Sequence, residues 1–257
     1  GNFGLPEMGI GGAALASFCA EVSVFVFFTI YSYIKLTKKD YGMFKIHKLE
    51  PELMGRILKI ATPTMIQKLF SFSVWFIFFI LIEKMGETAT GISSIVRSVY
   101  MILITPCFAF ATTTNTIVSR IIGEGHSDQV FSTIFKILKN CMLCTIPIII
   151  LVAIFPMQII RIYTDDLNLA QLVIPSIYVI CAGTVFQGIG NAYFEAVSGT
   201  GNTSAALYLE AVILVIYVAF IWMMTHLTTN VHWVWTAEII YGALLGIFCF
   251  IYMKFAK

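Results

Sequence analysis

The sequence predicts an all-α, polytopic membrane protein, a helical bundle with seven transmembrane helices. The first observation is a series of seven apolar stretches, each close to the roughly 20 residues that a helix needs to cross the hydrocarbon core of a bilayer. The second is the composition, with 59% hydrophobic and 12% charged residues, against about 25% charged residues in soluble domains. Because lipid offers the backbone no hydrogen-bond partners, such spans must be helices.

The spans follow one another with short polar connections and one longer basic segment after the first span. Prolines fall in or at the edges of several spans, which membrane helices tolerate because neighbouring groups satisfy the freed carbonyls. The predicted spans cover residues 12–34, 60–82, 92–112, 140–160, 172–192, 204–224 and 234–252.

The distribution of basic residues predicts the orientation. Residues 35–59 hold seven of the sixteen lysines and arginines, and the connections on that side bring the number to twelve. The opposite side has only Lys84 and Arg161. Under the positive-inside rule, residues 35–59 and the C-terminus are cytoplasmic and residue 1 is outside. Trp233 and Trp235 fit an aromatic belt at the outer surface.

The N-terminal region indicates a fragment. The chain begins with Gly1 and shows no signal peptide before the first span. An odd number of spans with an outside N-terminus is expected if an N-terminal portion is missing. Cys141 and Cys144 have CxxC spacing, but no second Cys or His pair accompanies them. We therefore interpret them as helix-packing residues and predict no metal site.

Apart from Glu238, close to the edge of the last span, four ionisable residues are predicted to lie inside spans. They are Glu21, Lys68, Arg97 and Glu210. A charge at mid-bilayer costs about 2.5–3.5 kcal/mol by insertion scales, so it normally faces protein or water and marks a functional pathway. Glu21 and Glu210 are candidates for a transport-linked role, with a buried structural role as the alternative. Lys68 and Arg97 are interpreted as charge partners of such carboxylates or of backbone carbonyls.

Polar residues also recur at helical spacing. Gln187, Asn191 and Glu195 form one stripe on the fifth predicted helix, and Gln67 precedes Ser71 by four residues on the second. Such stripes are typical of a cavity lining, and interhelical hydrogen bonding explains them equally well. Glu195 falls near the cytoplasmic boundary, where solvation alone is a sufficient role.

The sequence indicates no catalytic residues. Glu238, His226 and His232 are placed at the outer surface in solvated roles. We find no paired constellation for nucleophilic or metal chemistry and no phosphate-binding loop. The prediction is therefore a protein that is not an enzyme, with no cofactor and no nucleic-acid partner.

Three stretches carry a likeness to a known family, in matching order and spacing. They are GLPEMGIGGAALA at residues 4–16, PEL through IATP at residues 51–63, and SGTGNT at residues 198–203. With the seven spans and the orientation, the chain resembles the C-terminal half of a multidrug and toxic compound extrusion (MATE) transporter. The stretches are similar to the entry to the sixth helix, the approach to the seventh, and the loop between the tenth and eleventh.

The resemblance implies a domain organisation and a function. Residues 1–40 would be the last helix of an N-terminal lobe, residues 41–56 a cytoplasmic linker, and residues 57–257 the six-helix C-terminal lobe. Two lobes in the cell inner (plasma) membrane would export cationic or amphipathic small molecules, driven by inward Na⁺ or H⁺. The implied partners are the lipid bilayer, a small-molecule substrate and the missing N-terminal lobe.

The sequence departs from the family at the coupling site. Acids of the seventh and tenth helices bind the ion in several branches of the family, and the matching positions here are close to Ser71 and at Gln187. The ion site is therefore expected either in the missing lobe or at Glu21, Glu195 or Glu210.

Two other functions stay open. A flippase for lipid-linked sugars or a related amphiphile would place Lys68 and Arg97 in a cationic cavity. A seven-helix receptor would share the number of spans and the orientation, although topology alone does not identify function.

Overall fold

A computed structural model describes residues 8–36 and 50–255 of the chain. The chain divides into two compact units, Gly1–Glu52 and Leu53–Lys257. In the first unit, α1 (Gly9–Leu36) is a single helix of membrane-spanning length. The start of the glycine-rich stretch at residues 4–16 and most of the linker predicted at residues 41–56 lie outside the described residues. From Pro51 onward that linker is helical.

The described part of the second unit consists of helices joined by short turns. Over all described residues, seven helical segments are long and apolar enough to cross a membrane, which confirms the predicted fold class. The remaining helices are α2 (Pro51–Glu83), α3 (Glu87–Gly123), α4 (Val130–Ile154), α5 (Pro156–Ile160), α6 (Leu167–Gly199), α7 (Thr203–Leu227), α8 (Val231–Trp235) and α9 (Ala237–Phe255).

Two predicted spans are interrupted. The span predicted at residues 140–160 ends as a helix at Ile154, because Phe155 leaves the helical conformation and Pro156 begins the short helix α5. The span predicted at residues 234–252 is divided at Thr236, between α8 and α9. Most helices also begin earlier and end later than the apolar windows, since their polar ends continue the helix beyond the hydrophobic part.

Local side chains fix where α6 and α7 begin. Asp166 accepts hydrogen bonds from the backbone N–H groups of Asn168 and Leu169, and Asn202 accepts one from that of Ala205. Both are N-caps that satisfy backbone donors left unpaired in a first helical turn. Gly201 precedes the second cap with a φ of +86°, a conformation that favours glycine.

Helix α6 is the centre of the bundle and packs against α3 on one side and α9 on another. Its approach to α9 depends on glycine, because a Cβ at Gly242 would lie 2.6 Å from the Gln187 backbone nitrogen and 2.7 Å from the Phe186 carbonyl carbon. A Cβ at Gly190 would lie 2.5 Å from the Gly242 carbonyl oxygen. Small residues let membrane helices pack at this backbone distance.

The packed interior contains an aromatic cluster that joins α2, α3, α7 and α8. The Phe78 ring meets that of Trp235 at 4.9 Å and that of Tyr217 at 6.4 Å. Trp235 is fully buried, and its Nε1–H donates to Ser93 Oγ at 3.3 Å. Its predicted place in an outer aromatic belt is therefore wrong, whereas Trp233 is exposed.

Candidate functional site

A cavity of about 480 Å³ opens between α2, α3, α6, α7 and α9 of the second unit. Its walls are largely aromatic, and its polar side chains include four charged residues. The polar and charged lining consists of Gln67, Lys68, Ser71, Arg97, Gln187, Asn191, Glu210 and Glu238, with the hydroxyls of Tyr100, Tyr217 and Tyr241. A concave, mostly apolar site with a few convergent polar groups is typical of small-molecule binding.

Glu238 is the most completely bound carboxyl of the cavity. Tyr217 Oη donates to its Oε1 at 2.6 Å, Tyr100 Oη to its Oε2 at 2.9 Å, and Gln187 Nε2 also to Oε2 at 2.8 Å. The residue is only 3% exposed. Three donors therefore converge on two oxygens, an arrangement that stabilises a charged carboxylate.

The prediction that Glu238 lies solvated at the outer surface is wrong. Tyr217 and Tyr100 stand well inside α7 and α3, so the carboxyl that they bind lies deep between the helices. Helix α9 begins only at Ala237, after the break at Thr236, and packs directly on α6, where a Cβ at Gly183 would lie 3.4 Å from Glu238 Cβ. Helix packing, not distance along the chain, sets the depth of this residue.

Glu210 is a second buried carboxyl, also 3% exposed. Ser71 Oγ donates to its Oε1 at 2.6 Å and Tyr241 Oη donates to the same oxygen at 3.0 Å. Its Oε2 is buried and has no hydrogen-bond partner. Because an unsatisfied buried carboxyl oxygen is costly, this atom is a ready acceptor for a proton, a metal cation or a cationic group of a ligand.

The two carboxyl clusters are neighbours. The rings of Tyr217, which binds Glu238, and Tyr241, which binds Glu210, meet edge to face with centroids 5.5 Å apart. No lysine, arginine or histidine of the described residues forms an ion pair with either carboxyl. Within the same ranges, no group of three or more His, Cys, Asp or Glu residues could hold a metal ion. Two carboxyls thus share one cavity, and within the described residues neither of them is in an ion pair.

The two predicted charge partners contact different kinds of group. Lys68 Nζ lies 3.7 Å from Glu195 Oε1. The Arg97 guanidinium lies 5.1 Å from the centroid of the Phe79 ring, a cation–π contact. Neither forms an ion pair with Glu210, because Glu195 lies beside Lys68 and the Phe79 ring lies beside Arg97. Such a cation–π contact contributes about 0.5–2 kcal/mol, less than the mid-bilayer cost of a charge.

Glu195 is held by protein and not by solvent alone. Asn115 Nδ2 donates to its Oε2 at 2.9 Å, and its side chain is 17% exposed beside Lys68. Glu195 therefore has protein partners besides solvent, and it is not among the residues that line the cavity. Nearby, Ser119 Oγ donates to the Gly199 carbonyl at 2.8 Å, so this part of α3 and α6 is joined by polar contacts.

The residues of the predicted polar stripes belong to different hydrogen-bond networks. Asn191 Nδ2 donates to Gln187 Oε1 at 3.1 Å, which extends the Glu238 network along α6. Gln67 is buried and lies within 3.4 Å of Ser71 Oγ. Glu21 lies midway along α1 in the first unit, and the cavity is lined by residues of the second unit alone.

At both positions where the resemblance indicates an acid, this chain has a residue that donates a hydrogen bond to a carboxyl. Ser71 donates to Glu210, and Gln187 donates to Glu238. The carboxyls therefore come from α7 and α9, opposite the α2 and α6 positions that the resemblance indicated. Sequence reasoning included Glu210 and missed Glu238.

The sequence and fold match known transporters. A family model described as MatE matches residues 63–223. A probable multidrug resistance protein NorM of Thermotoga maritima is 29% identical over 207 residues, 79% of this chain and 43% of that protein. A NorM relative of Synechocystis is 22% identical over 166 residues, 64% of this chain and 36% of that protein.

Solved structures share the fold. The outward-facing conformation of a multidrug resistance MATE family transporter superposes with a TM-score of 0.82 at 19% identity, covering 97% of this chain and 56% of that one. A MOP superfamily transporter from Pyrococcus furiosus superposes with a TM-score of 0.81 at 18% identity, covering 97% and 57%. This chain spans about half the length of the proteins that it matches.

The membrane-length helices and the amphipathic cavity define a multi-pass membrane protein with a ligand-sized site. With the family match over more than half of its residues, the chain belongs to the MATE family of multidrug efflux transporters. The seven-helix receptor is thereby set aside, and a lipid flippase is not favoured.

Proposed function

We propose that this chain is the C-terminal half of a secondary active antiporter that exports cationic or amphipathic small molecules in exchange for inward Na⁺ or H⁺. The family membership and the names of the NorM relatives support export of drug-like compounds. The observation that carries the coupling is the pair of buried carboxyls, Glu210 and Glu238, which face one cavity and form no ion pair with a cation of the described residues. We propose these two residues as the coupling site.

The pair suits an exchange mechanism. An ion bound at the carboxyls and a cationic substrate in the same cavity compete for the same negative charge, so each lowers the affinity of the other. Glu210 Oε2 is the carboxyl oxygen best able to bind the ion or the substrate cation, because it has no hydrogen-bond partner. Oε1 of the same carboxyl already accepts two hydrogen bonds. Protonation or Na⁺ binding there would release the substrate, and loss of the ion would allow it to bind again.

The proposal extends to the whole transporter. A second lobe of the same protein would close the cavity from the opposite side, in the cell inner (plasma) membrane, with the C-terminus in the cytoplasm as the basic residues indicate. Two coupled cations per cycle supply enough energy, because each charge moving through 100 mV supplies about 2.3 kcal/mol. Holding a 100-fold gradient of a neutral solute costs about 2.7 kcal/mol.

The test is efflux from proteoliposomes that contain the protein expressed from its complete coding sequence. A fluorescent cationic dye is loaded, and the Na⁺ and H⁺ gradients are collapsed one at a time with selective ionophores. We expect efflux to depend on one of the two gradients and to be lost in Glu238→Gln and in Glu210→Gln. Efflux that is unaffected by the collapse of both gradients would refute the antiporter.

A further inference from the structure

Two buried cysteines from different helices meet between α3 and α4. Cys107 belongs to α3 and Cys141 to α4, and each is 1% exposed. Thr145 Oγ1 lies 3.7 Å from Cys107 Sγ and 3.9 Å from Cys141 Sγ. The two thiols are also hydrogen-bond partners of each other. Neither cysteine lines the cavity, so the proposed coupling mechanism leaves this pair unused.

The structure gives Cys141 a different partner from the one that its spacing suggests. Cys144 follows Cys141 by three residues, as in a CxxC motif, but Cys144 is exposed. Cys141 is instead directed toward Thr145 and Cys107. Cys107 and Cys141 are both free, so both sulfurs are available as thiols.

Burial decides which thiol-binding ligands suit the pair. A monovalent soft cation bound by two thiolates would leave one net negative charge, and an unpaired buried charge is costly. A trivalent organoarsenical brings no charge. An arsonous acid carries two hydroxyls on arsenic, and its condensation with two thiols joins neutral reactants to neutral products. Two As–O bonds break, two As–S bonds form, and the two thiol protons leave with the hydroxyls as two molecules of water.

Both helices have a weak point beside the pair. Pro106 directly precedes Cys107 in α3, and Pro147 follows Thr145 by two residues in α4. Each proline removes one backbone hydrogen bond from its helix. Because missing hydrogen bonds lower the free energy of local opening, we expect a neutral arsenical to reach the thiols from the lipid.

We propose that Cys107 and Cys141 form a dithiol site that binds trivalent organoarsenicals covalently and thereby links α3 to α4. The site is separate from the cavity, and it does not depend on the proposed antiport. A covalent bridge between two helices constrains the unfolded chain, as a disulfide does, so the adduct should be more stable than the free protein. A single thiol forms one As–S bond, which excess monothiol reverses by exchange, whereas two thiols retain the arsenic.

The test is retention of phenylarsine oxide, which hydrates to the arsonous acid, by the purified protein expressed from its complete coding sequence. The treated protein is washed with excess monothiol and measured by intact mass spectrometry, and a small dithiol should then release the adduct. Proteolysis of the wild-type adduct should give a phenylarsenic-bridged species that joins the peptide with Cys107 to the peptide with Cys141. This measurement needs no variant, so it decides the question even if a substitution prevents folding.

The variants identify the two sulfurs independently. We expect the wild-type adduct to show a rise in Tm of roughly 4–16 °C, as for a cross-link of this kind. Cys107→Ala and Cys141→Ala should each lower the retained arsenical by about one equivalent and abolish the rise in Tm. Cys144→Ala is the matched control on α4, and it should keep both.

Three results would overturn the proposal. The first is a bridge between Cys141 and Cys144, which would make the CxxC spacing the site. The second is retention that survives Cys107→Ala. The third is a wild-type protein that keeps no arsenical through the monothiol wash.

Discussion

Removing the hydroxyl of Tyr217 tests the Glu238 cluster most sharply. Tyr217 Oη is the one described donor to Glu238 Oε1, at 2.6 Å, whereas Oε2 accepts from both Tyr100 and Gln187. Tyr217→Phe therefore leaves a buried carboxyl oxygen without a donor. Tyr100→Phe is the matched control, because both tyrosines are 4% exposed and Oε2 keeps its bond from Gln187.

The magnitudes follow from the number of donors that remain. We expect Tyr217→Phe to lower the free energy of unfolding by about 1.5–3 kcal/mol, as for loss of a hydrogen bond to a charged group. Tyr100→Phe should lower it by about 0.5–1.5 kcal/mol. For a chain of this size, 1 kcal/mol shifts Tm by about 2–4 °C. Tyr217→Phe should therefore lower Tm by roughly 3–12 °C, and Tyr100→Phe by clearly less.

The assay is thermal unfolding of the detergent-purified protein, followed by fluorescence-detected size exclusion. The same two tyrosine variants are then made in a Glu238→Gln background, where the charged acceptor is absent. There we expect the difference between them to shrink, because the two sites are coupled through one carboxyl. Equal shifts for the two variants, or a difference that Glu238→Gln leaves intact, would refute the assigned network.

Three further predictions concern packing, the polar end of the cavity and a cap. Gly242→Leu should destabilise the protein by about 1–3 kcal/mol or more, because its Cβ would clash with the backbone of Gln187 and Phe186. The control Gly55→Ala should be neutral, because a Cβ there meets nothing within 4 Å. Equal Tm values for the two variants would contradict the close approach of α6 and α9. Lys68→Gln should change the free energy of unfolding by less than about 1 kcal/mol, because Lys68 is 54% exposed in its pair with Glu195. A large fall in Tm would contradict a solvent-exposed pair. Asp166→Ala should cost about 1 kcal/mol through loss of the N-cap of α6 and Asp166→Asn much less, as measured by denaturation; similar losses in both would argue against the cap.

The sequence predicted the fold class because hydropathy reports directly on the lipid that surrounds a helix. The seven apolar windows are therefore found as membrane-length helices. The break at Phe155 also had a local signal in Pro156. The break at Thr236 had neither proline nor glycine to mark it, and the helix ends were missed because their polar turns lie beyond the apolar windows.

The site was only partly predictable. Glu210 stood out because a charge inside an apolar window is rare, whereas Glu238 stood near a window edge and was counted as exposed. One signal was present: Gly242 and Gly246 follow Glu238 at intervals of four residues, so the three share one helix face. A glycine face indicates close helix packing, and a carboxyl on that face is expected to be buried.

The choice of partners could not be predicted from the chain. Lys68 with Glu195, and Arg97 with Phe79, depend on how α2, α3 and α6 rotate against one another. Likewise, Ser71 and Gln187 reveal their role only when α7 and α9 bring carboxyls opposite them. Spacing within one helix defines a face, and tertiary packing decides what that face meets.

The most direct test of the coupling site is the ion dependence of substrate affinity at equilibrium. The Kd of a cationic dye is measured by fluorescence polarisation across a range of Na⁺ concentrations at fixed pH, and across a range of pH without Na⁺. We predict that Kd rises with one of the two ions in the wild type, and that this dependence disappears in the Glu210→Gln/Glu238→Gln double variant. A Kd that is independent of both ions in the wild type, or a dependence that survives in the double variant, would contradict the account.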